Sequence, residues 1–255
     1  MTDNLPKAAL ITGAARRIGR ALALDLARRG WSVAVHYGKS KAEAEAVVAE
    51  IESTGGRAIA LGADLAREDQ TVPLIDRATD ALGPLGVLVN NASLFEPDTV
   101  ATGTRESWDA HLEANLRAPL VLTQHFARRL PDAAMGAVVN IIDQRVWNPT
   151  PFFMSYTVSK SGLWTLTKTL ALALAPRIRV NAIGPGPTLP SARQSPEHFA
   201  RQCAQTPLQR GTSLDEICAA LRFILAAPAM TGQMIALDGG QHLGWAHPQS
   251  PSFPE

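Results

Sequence analysis

Tyr156 and Lys160 stand four positions apart, so on a helix a phenol and an ammonium project from one face toward a common space. A cation beside a phenol stabilises the phenolate and draws the tyrosine pKa down, which makes proton exchange feasible near neutral pH. Taken alone, such a pair reads equally well as two solvated side chains on a surface helix. A second chemical pattern lies near the other end of the chain. TGAARRIG at 12–19 follows an apolar run and precedes a helical one, with Gly13 in the turn and Gly19 where helix and sheet must approach closely. Amides at the start of such a helix can meet a pyrophosphate. The middle position of the usual glycine fingerprint is occupied by Arg17.

The elements that must position these groups follow from periodicity. Short apolar runs at 8–11, 32–36, 58–61, 87–89, 137–142, 178–182 and 234–237 alternate with helical stretches, the pattern of a parallel sheet wound on both faces. Ile18, Leu22 and Leu26 recur every four residues with Gly30 as a stop, which predicts an amphipathic helix after the first strand. Further helices are predicted at 41–53, 68–82, 106–130, 155–175 and 214–226. From 184 to 196 prolines and small residues break any regular element, so this stretch is read as a loop or short mobile helix over the cleft. The Pro- and Ser-rich tail, 244–255, is expected to be extended, frayed or packed on a neighbouring subunit.

Several motifs occur in a fixed order: TGAARRIG, Asp64 after the third strand, NNAS at 90–93, Asn115 in the long helix, Tyr156-x-x-x-Lys160, NAIGPG at 181–186 and LDGG at 237–240. With this ordered set the chain resembles the short-chain dehydrogenase/reductase family along nearly its whole length. The resemblance implies a Rossmann-type doubly wound sheet of about seven strands in a single domain, residues 1–255, with 184–212 as substrate loop or lid. It implies a nicotinamide dinucleotide held by Gly13, Arg16, Arg17, Ile18 and Gly19, with Asp64 and Leu65 at the adenine. By the same resemblance Asn91, Ala92 and Ser93 line the ribose region, and Pro185, Gly186 and Thr188 approach the nicotinamide amide. Tyr156 and Lys160 become the proton-transfer pair, Lys160 also bonding the nicotinamide ribose, while Asn115 steadies a water that links Lys160 to solvent. A homotetramer is implied as well, with the helices around 106–130 and 155–175 pairing across a two-fold axis.

The second strand chooses between the two nicotinamide dinucleotides, since an acid at its end would repel a 2′-phosphate. None stands there. His36, Tyr37, Lys39 and Ser40 offer instead a cation, a hydroxyl and the start of a helix, which favours NADPH/NADP+. Lys39 by itself is also readable as a solvated surface lysine.

Thirteen residues before Tyr156 the family normally places a serine, and here that position is Asp143. Negative charge grows on oxygen when hydride reaches a ketone, so a nearby carboxylate would raise that barrier. A carboxyl group suits reduction of a C=N bond, where it stabilises a protonated imine or delivers a proton to nitrogen. The competing reading turns Asp143 away to cap a turn. Arg17, Ser93, Phe95, Asp143, Tyr156 and Lys160 together match the pteridine reductases and bacterial dihydromonapterin reductases within the family. That match implies Phe95 stacked on a flat substrate ring, with Arg17 and Ser93 at its polar edge. Trp147, Phe152 and Phe153 are candidates for an apolar wall.

Net charge excludes other classes. At +1, with no long basic run, the chain lacks the electrostatic footprint of a nucleic-acid or anionic-membrane binder. The two cysteines, Cys203 and Cys218, suggest neither a disulfide framework nor a zinc site, and reduced thiols in a cytoplasmic protein are expected. MTDNLPK leads straight into the first strand, so neither a signal peptide nor a membrane span is expected. The expected activity is reduction of a dihydropterin, with an oxidised pterin or dihydrofolate as further substrates. A carbonyl reductase acting on a 3-oxoacyl or other ketone is the alternative, and a non-catalytic NADP(H) sensor would belong to a different class.

Overall fold

The computed structural model describes residues 4–191 and 193–244. Seven strands, β1 (Ala8–Ile11), β2 (Ser32–Tyr37), β3 (Ala58–Gly62), β4 (Val87–Asn90), β5 (Gly136–Ile141), β6 (Ile178–Pro185) and β7 (Met234–Leu237), form one sheet. Their order is β3-β2-β1-β4-β5-β6-β7 and every pairing is parallel. The strand sequences are apolar at consecutive positions because both faces are covered. Ala9, Ile11, Val33, Val35, Val87 and Val89 enter one core, and the intervening Ala8, Leu10, Ala34 and Leu88 enter the other.

The first core is closed by α1 (Arg17–Ala27), α2 (Lys41–Ser53) and α9 (Leu214–Ala226), through Leu22, Leu26, Val47, Ile51, Ile217 and Leu221. The second is closed by α4 (Leu74–Leu82), α6 (Ala118–Arg129) and α7 (Met154–Leu174), through Leu74, Ile75, Leu122, Phe126 and Ala171. Each fully buried leucine or isoleucine contributes roughly 1.5–3 kcal/mol. The sheet order reverses direction between β1 and β4, and the crevice beyond their carboxyl ends is where such sheets bind ligands.

Four departures from the predicted elements have local causes. The helix expected over 68–82 is two pieces, α3 (Glu68–Thr71) and α4, interrupted at Val72 and Pro73, because Pro73 has no N–H to give to the Asp69 carbonyl, while Val72 keeps helical angles of φ −52° and ψ −50°. The long helix expected over 106–130 is α5 (Arg105–Leu112), a π-turn at Glu113–Arg117, then α6. Pro119 cannot supply the N–H that a continuous α-helix would give to the Asn115 carbonyl. The proline-rich stretch leads into α8 (Pro196–Ala204), capped by the Ser195 hydroxyl accepting from the His198 N–H. β6 also runs past its expected end, since residues 183–185 pair with β7. No helix among the described residues is long and apolar enough to cross a membrane. The expected tail beyond Gly244 lies outside the described residues.

Candidate active site

At the mouth of the crevice, the chain leaves β1 through Thr12 and turns at Gly13, whose φ is +62°. A Cβ on Gly13 would lie 2.9 Å from Ala92 Cα, and one on Gly19 would lie 2.3 Å from the Gly13 carbonyl oxygen. Only glycine fits at both places. Asn91 locks this turn, its side-chain amide donating to the carbonyls of Thr12 and Gly13 at 2.8 and 3.1 Å. The Thr12 hydroxyl in return accepts the N–H groups of Asn91 and Ala92, both at 2.9 Å. Thr12 was not among the residues singled out from the sequence, although it heads the glycine block.

The N-terminus of α1 is bare. Arg16 occupies the N-cap without a side-chain cap bond, and no acid lies in the first turn. Arg16 is exposed in a loose ion pair with Glu43 at 3.6 Å; Ile18 is half-buried against the core. Arg17 adopts a left-handed φ of +55°, the conformation a glycine at this position would take without strain. Its guanidinium donates to the carbonyls of Pro190 and Leu189 at 2.8 and 3.0 Å. In this structure it therefore latches the proline-rich loop, where a contact to substrate was expected.

His36 is a correction to the predicted set. Its Nδ1 accepts the Gly13 N–H and its Nε2 faces the Ala63 carbonyl, both at 3.0 Å, so the ring is neutral with its proton on Nε2. Burial pushes its pKa down to about 4. It braces the glycine turn from behind and has no nitrogen left for a phosphate. The other second-strand residues remain at the surface of the cleft. Tyr37 lies across Gly62, Lys39 is exposed and makes no ion pair among the described residues, and Ser40 sits at the N-cap of α2 without a side-chain cap bond. An uncapped helix start and a free ammonium suit the 2′-phosphate of an adenosine, and Glu43 in the first turn of α2 is paired with Arg16. Asp64 is exposed, with Oδ1 accepting the Ala66 N–H at 3.0 Å, while Leu65 is buried beside it. On the far side Pro185 ends β6, and the Thr188 hydroxyl donates to the Gly186 carbonyl at 3.0 Å.

The predicted proton-transfer groups converge deeper in the cleft. Asp143, just beyond β5, accepts the Tyr156 phenol on Oδ2 at 2.9 Å and the Arg145 N–H on Oδ1 at 2.8 Å. It thus both caps a turn and faces the phenol, combining the two readings that the sequence left open. Both of its oxygens act as acceptors. Lys160, 2% exposed, donates from Nζ to the Ile141 carbonyl at 2.9 Å. Burial pushes its pKa down to about 8, with Asp143 opposing the shift. The expected lowering of the Tyr156 pKa is overturned: burial first, then the Asp143 charge, hold the phenol well above its ordinary value. Lys160 Nζ lies 5.8 Å from the Tyr156 ring centroid, too far to outweigh an anion in hydrogen-bond contact.

Asn115, on the π-turn, is fully buried. Its side chain accepts the Leu94 N–H at 2.8 Å and donates to the Leu94 carbonyl and the Ser159 hydroxyl at 2.9 and 3.1 Å. It clamps the loop after β4 against α7. That loop carries Ser93, exposed with its hydroxyl on the Leu94 carbonyl at 3.3 Å, and Phe95. The Phe95 ring meets Tyr156 edge-on at 4.7 Å and is stacked by Phe153 at 4.3 Å with a 9° interplanar angle. The stacking partner here is thus a protein side chain. Of the other aromatic residues proposed for the wall, Trp147 turns to Trp164 and His242, and Phe152 is exposed.

One residue of the loop after β6 is absent from the residues that the sequence singles out. Arg193 donates to Glu96 at 2.9 Å and to the Phe95 carbonyl at 2.7 Å, and lies over the Phe95 ring at 5.4 Å. It belongs to a stretch without a recognisable pattern, so only the fold brings it to the cleft. No cluster of three or more His, Cys, Asp or Glu that could hold a metal occurs among the described residues.

Comparison with known proteins agrees with this geometry. The profile of the short chain dehydrogenase family matches residues 7–199. A 3-oxoacyl-acyl-carrier-protein reductase of Synechocystis is 35% identical over 245 residues, spanning 94% of this chain and 98% of that protein. Among solved structures, FolM alternative dihydrofolate reductase 1 from Brucella suis, in complex with NADP, superposes with a TM-score of 0.93 at 50% identity, covering 96% of this chain and 99% of that one. Its counterpart from Brucella canis, also complexed with NADP, gives 0.93 at 49% identity, covering 98% and 99%. With its glycine turn, its parallel sheet and three quarters of its length matched, the chain belongs to the short-chain dehydrogenase family.

Proposed function

We propose that this protein is an NADPH-dependent pteridine reductase that converts a dihydropterin to its tetrahydro form. The single observation that carries the reading is the Asp143 carboxylate in hydrogen-bond contact with the Tyr156 phenol. NADPH, when bound, supplies the hydride that enters C6 of a 7,8-dihydropterin. The bare start of α1 and the Lys39–Ser40 corner hold its phosphates, and Lys160 reaches the ribose. Asp143, directly or through water, leads a proton to N5. A phenol whose pKa is held high gives up its proton only as N5 becomes basic, so the proton follows the hydride. Lys160 and the water steadied at Asn115 restore it. With an oxidised pterin, Tyr156 protonates N8 as C7 is reduced.

Charge decides between this and ketone reduction, which the 3-oxoacyl reductases among the relatives favour. An alkoxide forming about 4 Å from a carboxylate is disfavoured by roughly 4 kcal/mol at an effective dielectric constant of about 20, close to a thousandfold in rate. A protonated C=N bond gains by a similar amount. The FolM structures, at 49–50% identity, support the same choice. The Tyr156 and Lys160 pair argues against a silent sensor.

The flat ring takes the place on Phe95 that Phe153 fills in this structure, with Ser93 and, once released from Leu189 and Pro190, Arg17 at its polar edge. Residues 184–212 form the lid. We further infer a homotetramer, supported by the open apolar groove of the half-buried Leu112, Leu116, Leu120 and Leu166 along α5 to α7, and a cytoplasmic location, supported by the free thiols of Cys203 and Cys218. The test is a steady-state survey of NADPH oxidation with dihydrobiopterin, dihydromonapterin, dihydrofolate and a panel of ketones. Turnover of a dihydropterin, lost about a hundredfold or more in Asp143→Ala at unchanged NADPH affinity, is the expected result. A ketone preferred over every pterin would end the assignment.

A further inference from the structure

Behind the Phe95 and Tyr156 contact lies a polar chain that the proposed reaction does not use. His111 of α5 is fully buried, as is Ser155, and Asp98 is 3% exposed. The backbone dictates the tautomer of His111. Nε2 accepts the N–H of Glu96 at 3.1 Å, so the ring proton sits on Nδ1, which faces the Ser107 carbonyl and the Ser155 hydroxyl, both at 2.8 Å. Ser155 then donates its own proton to Asp98 Oδ2 at 2.5 Å. Asp98 also receives the Ser155 N–H on its carboxylate at 3.1 Å and the Phe153 N–H on its carbonyl at 2.8 Å. It caps α7 from outside the helix, since the N-cap residue Phe153 offers no side-chain bond.

The two ends of this chain adjoin the two groups that would meet a substrate. Glu96 follows Phe95, and Ser155 precedes Tyr156. We propose that His111 is a positioning residue whose two nitrogens set separate parts of the site: Nε2 holds the Phe95 platform at its height, and Nδ1, through Ser155, sets the phenol of Tyr156. The inference rests on the pteridine reductase reading for the role of the platform, but the Tyr156 arm applies to any substrate that takes a proton from the phenol.

The two arms separate by substitution. In His111→Asn the amide nitrogen overlies Nδ1 and keeps the donor toward Ser155, while the Glu96 N–H loses its acceptor. In His111→Gln the amide oxygen reaches the place of Nε2, while the donor toward Ser155 is lost. Loss of one buried hydrogen bond corresponds to about tenfold. The Asn variant is therefore expected to raise KM for the dihydropterin about tenfold with kcat within about twofold, and the Gln variant to lower kcat about tenfold with KM nearly unchanged. NADPH Kd should stay at the wild-type value in both. Arg105→Ala, on the solvent face of the same helix and outside the chain, serves as a control with both constants unchanged. Parallel loss of kcat and KM in the two variants, or loss that tracks only their melting temperatures, overturns the proposal and leaves His111 a core residue. If the wild-type enzyme turns over no dihydropterin, the pteridine reading fails by itself. The Gln variant, assayed with whichever ketone is reduced, then supports the Tyr156 arm by a kcat loss or sinks it by none.

Discussion

At the scale of single residues, the site is governed by one carboxylate facing two groups of opposite tendency. Asp143 adds to burial in holding the Tyr156 phenol protonated, and it opposes burial in keeping the Lys160 ammonium charged. These effects predict a direction for the pH profile. Lys160 loses its proton above about pH 8 in the free enzyme, and kcat/KM, which reports the free enzyme, should fall on that side. Asp143→Asn removes the anion that supports the ammonium, so the basic limb should move to lower pH. A limb that stays in place or moves up in a kcat/KM profile would exclude Lys160 as its source. Asp143→Ser restores the family's usual hydroxyl and should raise ketone turnover while dihydropterin turnover falls. That Asp143, Tyr156 and Lys160 converge follows from the order of the motifs and from the replaced serine. The directions of their hydrogen bonds do not, because burial and contact distance set the tyrosine pKa, and spacing along the chain contains neither.

At the scale of elements, the strands were readable because a parallel sheet covered on both faces demands continuous apolar runs. Apolar periodicity over 68–82 and 106–130 continues across Pro73 and Pro119 and so predicts unbroken helices, whereas the backbone of each proline interrupts them. α8 was overlooked inside a proline-rich stretch, although Ser195, Pro196 and Glu197 form a helix start of cap, first-position proline and acid. Phe95 was placed correctly on its loop, but the ring that covers it comes from Phe153, whose left-handed φ of +58° could not be read from residue type. The π-turn carries a prediction. Pro119→Ala restores an N–H that competes for the Asn115 carbonyl and favours an uninterrupted helix, so Asn115 should loosen its hold on Leu94. We expect kcat to fall about tenfold, the scale of one lost hydrogen bond, with thermal stability unchanged or raised. Faster hydrogen exchange at the Leu94 amide would accompany it, and unaltered exchange would show that the proline is not what shapes the turn.

At the scale of the whole molecule, His36 makes the fold sensitive to acid. Its folded pKa, about 4, lies below the ordinary 6.5, so the unfolded chain binds a proton that the folded one refuses. Its contribution is complete above pH 6.5 and is withdrawn as pH falls toward 4, by roughly 3 kcal/mol in all. Urea midpoints measured at pH 7, 5.5 and 4.5 should drop along that course. They should drop less in His36→Asn, whose amide oxygen still accepts the Gly13 N–H without taking up charge.

Arg17 joins distant parts of the molecule, since the first turn of α1 and the loop at 189 and 190 share its guanidinium. With 184–212 as the proposed lid, the mouth of the crevice and the flap are tied to each other by these two bonds. Spent coenzyme is then expected to leave only after both bonds part, the reduced product first and the nucleotide last. Arg17→Ala should shorten the residence time of NADP+ in stopped-flow displacement and weaken that sequence toward random release. An unchanged off-rate would mean that the flap does not gate the exit.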